Sequence, residues 1–190
     1  MAEKFIKIKY SANFKSDKDN QIFAWFSLPE KLDNQEINNM QFFPDPVSKF
    51  SYRENQLSFF ALNGTEEKVE IIFDANLKNF ERPSEISSEH IDENIKESYL
   101  ISEKYLEQTA ELIELTKKIT ENGKNQIEKI ELIFDYIIAN FKYCYPVAKR
   151  GVENLDLYDL VGDCGEYSAL FVTMCRVVGV PARCVTGFVE

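Results

Sequence analysis

Hydrophobic and polar positions alternate with a period of two over the first 82 residues, and with a helical period from about residue 99 onward. In the opening run Ile6, Ile8, Tyr10, Ala12 and Phe14 fall on one side, and Lys7, Lys9, Ser11, Asn13 and Lys15 on the other. That is the pattern of a strand with one buried face. Further strands are predicted from Gln21 to Leu28, around Val47 to Tyr52, from Gln56 to Leu62, and from Lys68 to Leu77, where Val69, Ile71, Phe73, Ala75 and Leu77 alternate with more polar neighbours. Asn63-Gly64 separates the last two, and because this pair tolerates positive φ the strands are expected to form a hairpin. With Thr65 it also matches a glycosylation sequon, but the turn reading accounts for these residues without modification. Several short strands and no helical pattern predict an antiparallel β-sandwich over residues 1–82.

Pro83, several serines and the acidic run from Glu85 to Glu97 carry little apolar content, and residues 83–98 are read as a linker. Beyond it, Leu106, Ala110 and Ile113 mark one helix ending at Asn122-Gly123. Ile127, Ile130, Phe134, Ile137, Ile138 and Phe141 mark a second, with Asn125 and Glu128 spaced as a capping pair. Both stripes are read as core. The fold class expected is α+β, with a sandwich followed by a mainly helical domain over residues 99–190.

Candidate chemistry lies in the segment from Val161 to Arg183. Asp163 and Glu166 have capping-box spacing, so a helix is expected to begin at Cys164. It continues through Ala169, Leu170, Phe171, Val172, Met174, Val177 and Val178, too uniformly apolar for a surface helix. Gly179 followed by Pro181 stops it. Cys184 to Val189 then reads as the first strand of a second sheet. A thiol in the first turn of a buried helix meets the positive end of the helix dipole and free backbone amides, which suits an acyl-transfer nucleophile. Asp163 and Glu166 work against this unless their charge is taken up elsewhere. Cys175 and Cys184, inside apolar elements, are expected to be protected core residues.

Composition and charge narrow the partners. The 190 residues are 44% hydrophobic and 13% aromatic, enough for a sizeable core. With 32 acidic and 22 basic residues the net charge is −10, which repels phosphate backbones and anionic lipid. Neither nucleic acid nor a membrane is expected as a partner. No run approaches the roughly 20 apolar residues of a membrane span, and the opening residues lack a signal-peptide core, so a cytoplasmic location is expected. The four cysteines form no Cys-x-x-Cys pair and His90 is the single histidine, so neither a metal site nor a cofactor is expected. Phe23, Trp25, Phe42 and Phe43 could form a stacking surface for carbohydrate or peptide, although core packing explains most aromatics at such spacings.

Gly162-Asp163-Cys164-Gly165-Glu166-Tyr167-Ser168, followed by Leu170-Phe171, Arg176, Gly179-Val180-Pro181-Ala182-Arg183 and Gly187-Phe188, resembles the nucleophile segment of the transglutaminase-like superfamily. The preceding stretch with Tyr143 and Pro146 is also similar to that family's approach to its active site. The resemblance implies a fold related to papain, a protein or peptide substrate, and a Cys-His-Asp site in which Cys164 is the nucleophile. In bacterial members a β-sandwich often precedes this domain. The resemblance further implies that the His and Asp stand on strands after the central helix. No histidine occurs between Cys164 and Glu190, so the chain is expected to hold the nucleophile half and to stop before the His and Asp. His90, in the acidic linker, is not expected to substitute. Tyr143 is a candidate oxyanion donor by its place before the motif. The alternative reading is a non-catalytic protein-interaction module with the same fold.

Overall fold

The computed structural model describes residues 3–16, 21–32, 34–52, 55–78, 93–146 and 149–187. His90 and most of the expected linker lie outside the described residues. The chain divides into two compact units, Met1–Ser87 and Ser88–Glu190.

In the first unit, strands β1 (Glu3–Lys15), β2 (Gln21–Leu28), β3 (Gln35–Phe43), β4 (Ser48–Tyr52), β5 (Asn55–Asn63) and β6 (Glu66–Lys78) form two antiparallel three-stranded sheets, ordered β1-β6-β3 and β2-β5-β4. Their inward positions supply one core: Ala24 and Phe26 from β2, Phe42 from β3, Phe60 and Leu62 from β5, and Val69, Ile71, Phe73 and Ala75 from β6. Phe26 lies edge-on to Phe60 at 5.5 Å between ring centroids, the geometry that aromatic quadrupoles favour. This is the expected sandwich.

Two details of it differ from the sequence reading. The expected hairpin across Asn63-Gly64 does not form, because β5 pairs with β2 and β4 while β6 pairs with β1 and β3. Neither Asn63 nor Gly64 has the positive φ that a tight hairpin turn requires. The chain instead crosses from one sheet to the other there, which lets β5 and β6 face each other through the core. The expected stacking surface also divides: Phe42 is buried, and Phe43 ends a strand of the other sheet. The aromatics gathered outside β2-β5-β4 are Phe23, stacked on Phe59 at 5.9 Å, and Trp25, tilted against the same ring at 5.1 Å.

The second unit opens with α1 (Glu93–Ser98), so the last six residues of the expected linker are helical, with Lys96 bonded to Glu93 one turn before it. Helices α2 (Ala110–Ile119) and α3 (Gln126–Asn140) follow. Thr109 caps α2 by accepting from Leu112 N, and Asn125 caps α3 by accepting from Glu128 N at 2.9 Å. Two-residue strands β7 (Lys142–Tyr143) and β8 (Val161–Gly162) pair in parallel, and a 3-10 turn at Val152–Asn154 lies between them in sequence. Helix α4 (Cys164–Val177) is the centre: Ala169, Leu170, Met174 and Cys175 pack with Leu112, Ile133, Ile137, Val152 and Leu160.

The stripe assigned to α3 is only partly core. Of its residues Ile137 is buried and Ile130 and Phe141 pack half-buried against the core, whereas Ile127, Phe134 and Ile138 stay exposed, and the buried Ile133 lies outside the stripe. Apolar residues occupy so much of this helix's circumference that their spacing does not single out the face that meets α4. Among the described residues no helix is long and apolar enough to cross a membrane.

Candidate active site

The position of Cys164 is fixed from both sides. Upstream, Lys142 N donates to Leu160 O at 2.8 Å and Cys144 N to Gly162 O at 2.7 Å, so β7 holds the backbone that runs into the helix. Glycine is needed at 162: a Cβ there would stand 2.6 Å from Glu166 Cβ and 3.0 Å from the Phe141 ring. Downstream, Asp163 is the N-cap of α4 with extended backbone, and its Oδ1 accepts from Gly165 N at 2.8 Å. Asp163 N in turn donates to Glu166 Oε2 at 3.4 Å, completing the reciprocal box anticipated from the spacing. Cys164 is therefore the first residue of α4, and it is exposed. Its carbonyl accepts from Ser168 Oγ at 2.7 Å, within the helix.

Both capping carboxylates are buried, Asp163 at 4% and Glu166 at 2% exposure. Buried carboxylates need a compensating partner. It is Arg150, whose Nη1 donates to Asp163 Oδ1 at 2.7 Å and to Glu166 Oε2 at 2.8 Å. The Arg150 hydrogen bond, followed by that from Gly165 N, holds the Asp163 carboxyl down at about 2. Sequence reasoning does not single out Arg150. A signal exists, because two acidic caps on an otherwise apolar helix call for a cation, and between Phe141 at the end of α3 and the Asp163 cap only Lys142, Lys149 and Arg150 carry one. Choosing among the three requires the fold.

The other cysteines divide by environment. Cys175 is buried in the α4 core, and burial pushes its thiol up to about 11. Cys144, just after β7, is exposed. Cys184 is exposed as well, contrary to its expected place in a protected strand, since residues 181–187 form no strand and 188–190 lie outside the described residues. A strand exists only with a ladder partner, and no described segment pairs with this one. Tyr143 is the β-register partner of Gly162 and is 72% exposed. Among the described residues no group of three or more His, Cys, Asp or Glu side chains could hold a metal ion.

The end of α4 is fixed by Arg176, which is 4% exposed. Its Nε donates to Ala182 O at 2.8 Å, and its Nη1 to Ile101 O at 2.9 Å and Glu103 Oε1 at 2.8 Å. The helix stops at Gly179, as expected, and its φ of 80° is the left-handed conformation that glycine adopts at a helix end.

The model of the transglutaminase-like superfamily matches residues 113–190, the segment that holds most of α2 and all of α3 and α4. A solved structure of a proposed cysteine protease from Cytophaga hutchinsonii shares the fold with a TM-score of 0.71 at 16% identity, covering 95% of this chain and 67% of that one. No curated protein matches the chain.

Proposed function

We propose that the chain carries the nucleophile of a transglutaminase-like thiol acyl-transfer enzyme, and that Cys164 is that nucleophile. The observation that carries this reading is that Cys164, alone among the four cysteines, is both exposed and the first residue of a buried helix. A thiolate there attacks a carboxamide carbonyl of a protein or peptide. The oxyanion that develops is met by the backbone N–H of Cys164 itself, since Gly165 N is held by the Asp163 cap, with the Tyr143 hydroxyl as a further candidate donor. Collapse expels the amine and leaves a thioester on Cys164, which water or a second amine then resolves. Water as acceptor makes the activity that of a peptidase or amidase, and an amine makes it a crosslinking one.

The step that needs another group is proton transfer. A base must take the thiol proton and return it to the leaving amine, and in the superfamily the resemblance implies an Asp-oriented His. His90, the single histidine of these residues, precedes the matched segment, so we place the base and its acid outside these 190 residues. The accompanying division is a sandwich domain over 1–82, a linker, and the acyl-transfer domain from 99 onward.

An activated ester tests the nucleophile separately from the base, because its leaving group departs without a proton. Treating the 190-residue chain with p-nitrophenyl acetate is expected to place one acetyl group per chain on Cys164, as located by peptide mapping, and Cys164→Ala should lose it. Equal acetylation of Cys144 and Cys184, or an unchanged burst from Cys164→Ala, would overturn the reading.

A further inference from the structure

We propose that Arg150 is a positioning residue for the Cys164 chemistry: by bridging Asp163 and Glu166 it lets the nucleophile's helix keep an acidic capping box without leaving two uncompensated anions beside the thiol. This rests on the reading of Cys164 as the nucleophile.

A helix start can be capped by neutral side chains, Ser or Asn at the cap and Gln three residues on. Here both positions are acidic, both are buried, and they flank the thiol in sequence. Anions at a helix start ordinarily gain from the dipole. Next to a thiolate that gain is opposed, since each carboxylate repels the charge the nucleophile must carry. One guanidinium nitrogen bonded to both, at 2.7 and 2.8 Å, reduces the local net charge from −2 to −1 while leaving the caps intact.

The surroundings are arranged to keep Arg150 there. Its own carbonyl accepts from Asn154 Nδ2 at 2.8 Å, which ties the residue to the 3-10 turn. The next residue, Gly151, has φ 102°, where a side chain would be strained and a Cβ would come within 2.5 Å of Glu153 Oε1. On the other side of the bridge, a Cβ on Gly165 would stand 3.1 Å from Asp163 Oδ1 and 3.3 Å from Arg150 Nη1. Gly165 thus leaves the room that the bridge occupies, and Gly151 gives the turn next to Arg150 its left-handed backbone. The guanidinium side chain remains about half exposed, so its field extends into the solvent that reaches Cys164 as well as onto the buried carboxylates.

The charge around Cys164 can be read by comparing its alkylation by neutral iodoacetamide with that by anionic iodoacetate. Thiol ionisation alters both rates together, so their ratio reports the local field. Arg150→Gln is expected to lower the iodoacetate-to-iodoacetamide ratio by about three- to tenfold at low ionic strength, with the difference shrinking as salt is added. Arg150→Lys should keep the ratio within about twofold of the parent. Adding Glu166→Gln to Arg150→Gln should restore it. An unchanged ratio in Arg150→Gln, with its helical circular dichroism intact, would overturn the proposal. Where Arg150→Gln does not fold, Glu166→Gln alone decides, because it removes one anion and keeps the cation: a ratio above the parent's supports the proposal and an unchanged ratio overturns it. Failure of the nucleophile reading is a different result, namely Cys164 reacting no faster than Cys144 in the parent chain.

Discussion

The 190-residue chain is expected to give no turnover of an amide substrate, whereas a longer form of the protein that adds the superfamily's histidine and acid is expected to turn it over. Replacing Cys164 by alanine in that longer form should remove the activity by on the order of 10⁶-fold, the scale at which loss of a triad nucleophile disables the unit it belongs to. The reasoning separates two requirements. On the proposed reading, nucleophile placement is supplied within these residues by the start of α4 and its cap. Expelling a poor leaving group such as an amine also needs a proton donor, and the chain's single histidine, His90, precedes the matched segment. Turnover by the short chain that disappears in Cys164→Ala would show that a base has been overlooked among these residues. A longer form that stays inactive on amides and esters would favour the non-catalytic interaction module.

Arg176→Ala should destabilise the second unit strongly, by about 3 kcal/mol, because it removes a buried guanidinium and with it the three hydrogen bonds that tie two chain segments together. The Arg176 guanidinium joins the stretch after α4, through Ala182 O, to the stretch before α2, through Ile101 O and Glu103. Without it, two carbonyls lose a donor and Glu103 loses its bond to the guanidinium. Pairing Arg176→Met with Glu103→Gln should recover part of the loss, because Met refills the buried volume and Gln removes the carboxylate charge that the guanidinium offset. Urea denaturation measures both. A shift under about 1 kcal/mol for Arg176→Ala would mean that solvent reaches these groups readily.

Much of this architecture is legible in the sequence because periodicity reports which face of an element is buried. β2 and α4 follow from their patterns, and the Asp163–Glu166 box from its spacing. β3 escapes such a reading for a physical reason. Its apolar residues Ile37, Met40 and Phe42 change phase at a bulge, where Asn39 adopts φ 53° and donates to Asp74 Oδ2 at 2.8 Å. The register shift there breaks the alternation that identifies a strand. The hairpin expected at Asn63-Gly64 fails because the pair permits a tight turn without requiring one, and the core rewards a crossing between sheets. At the site, cysteine and caps are local in sequence and can be read from it. Arg150 is brought to them by the turn around Gly151, which no local pattern encodes.

Native-state alkylation, followed cysteine by cysteine with iodoacetamide, tests the placement of the nucleophile most directly and needs nothing beyond these 190 residues. Cys164 should react fastest, ahead of the exposed Cys144 and Cys184, and Cys175, buried with its thiol pushed up to about 11, should react slowest. Labelling of Cys144 or Cys184 ahead of Cys164 would contradict the account.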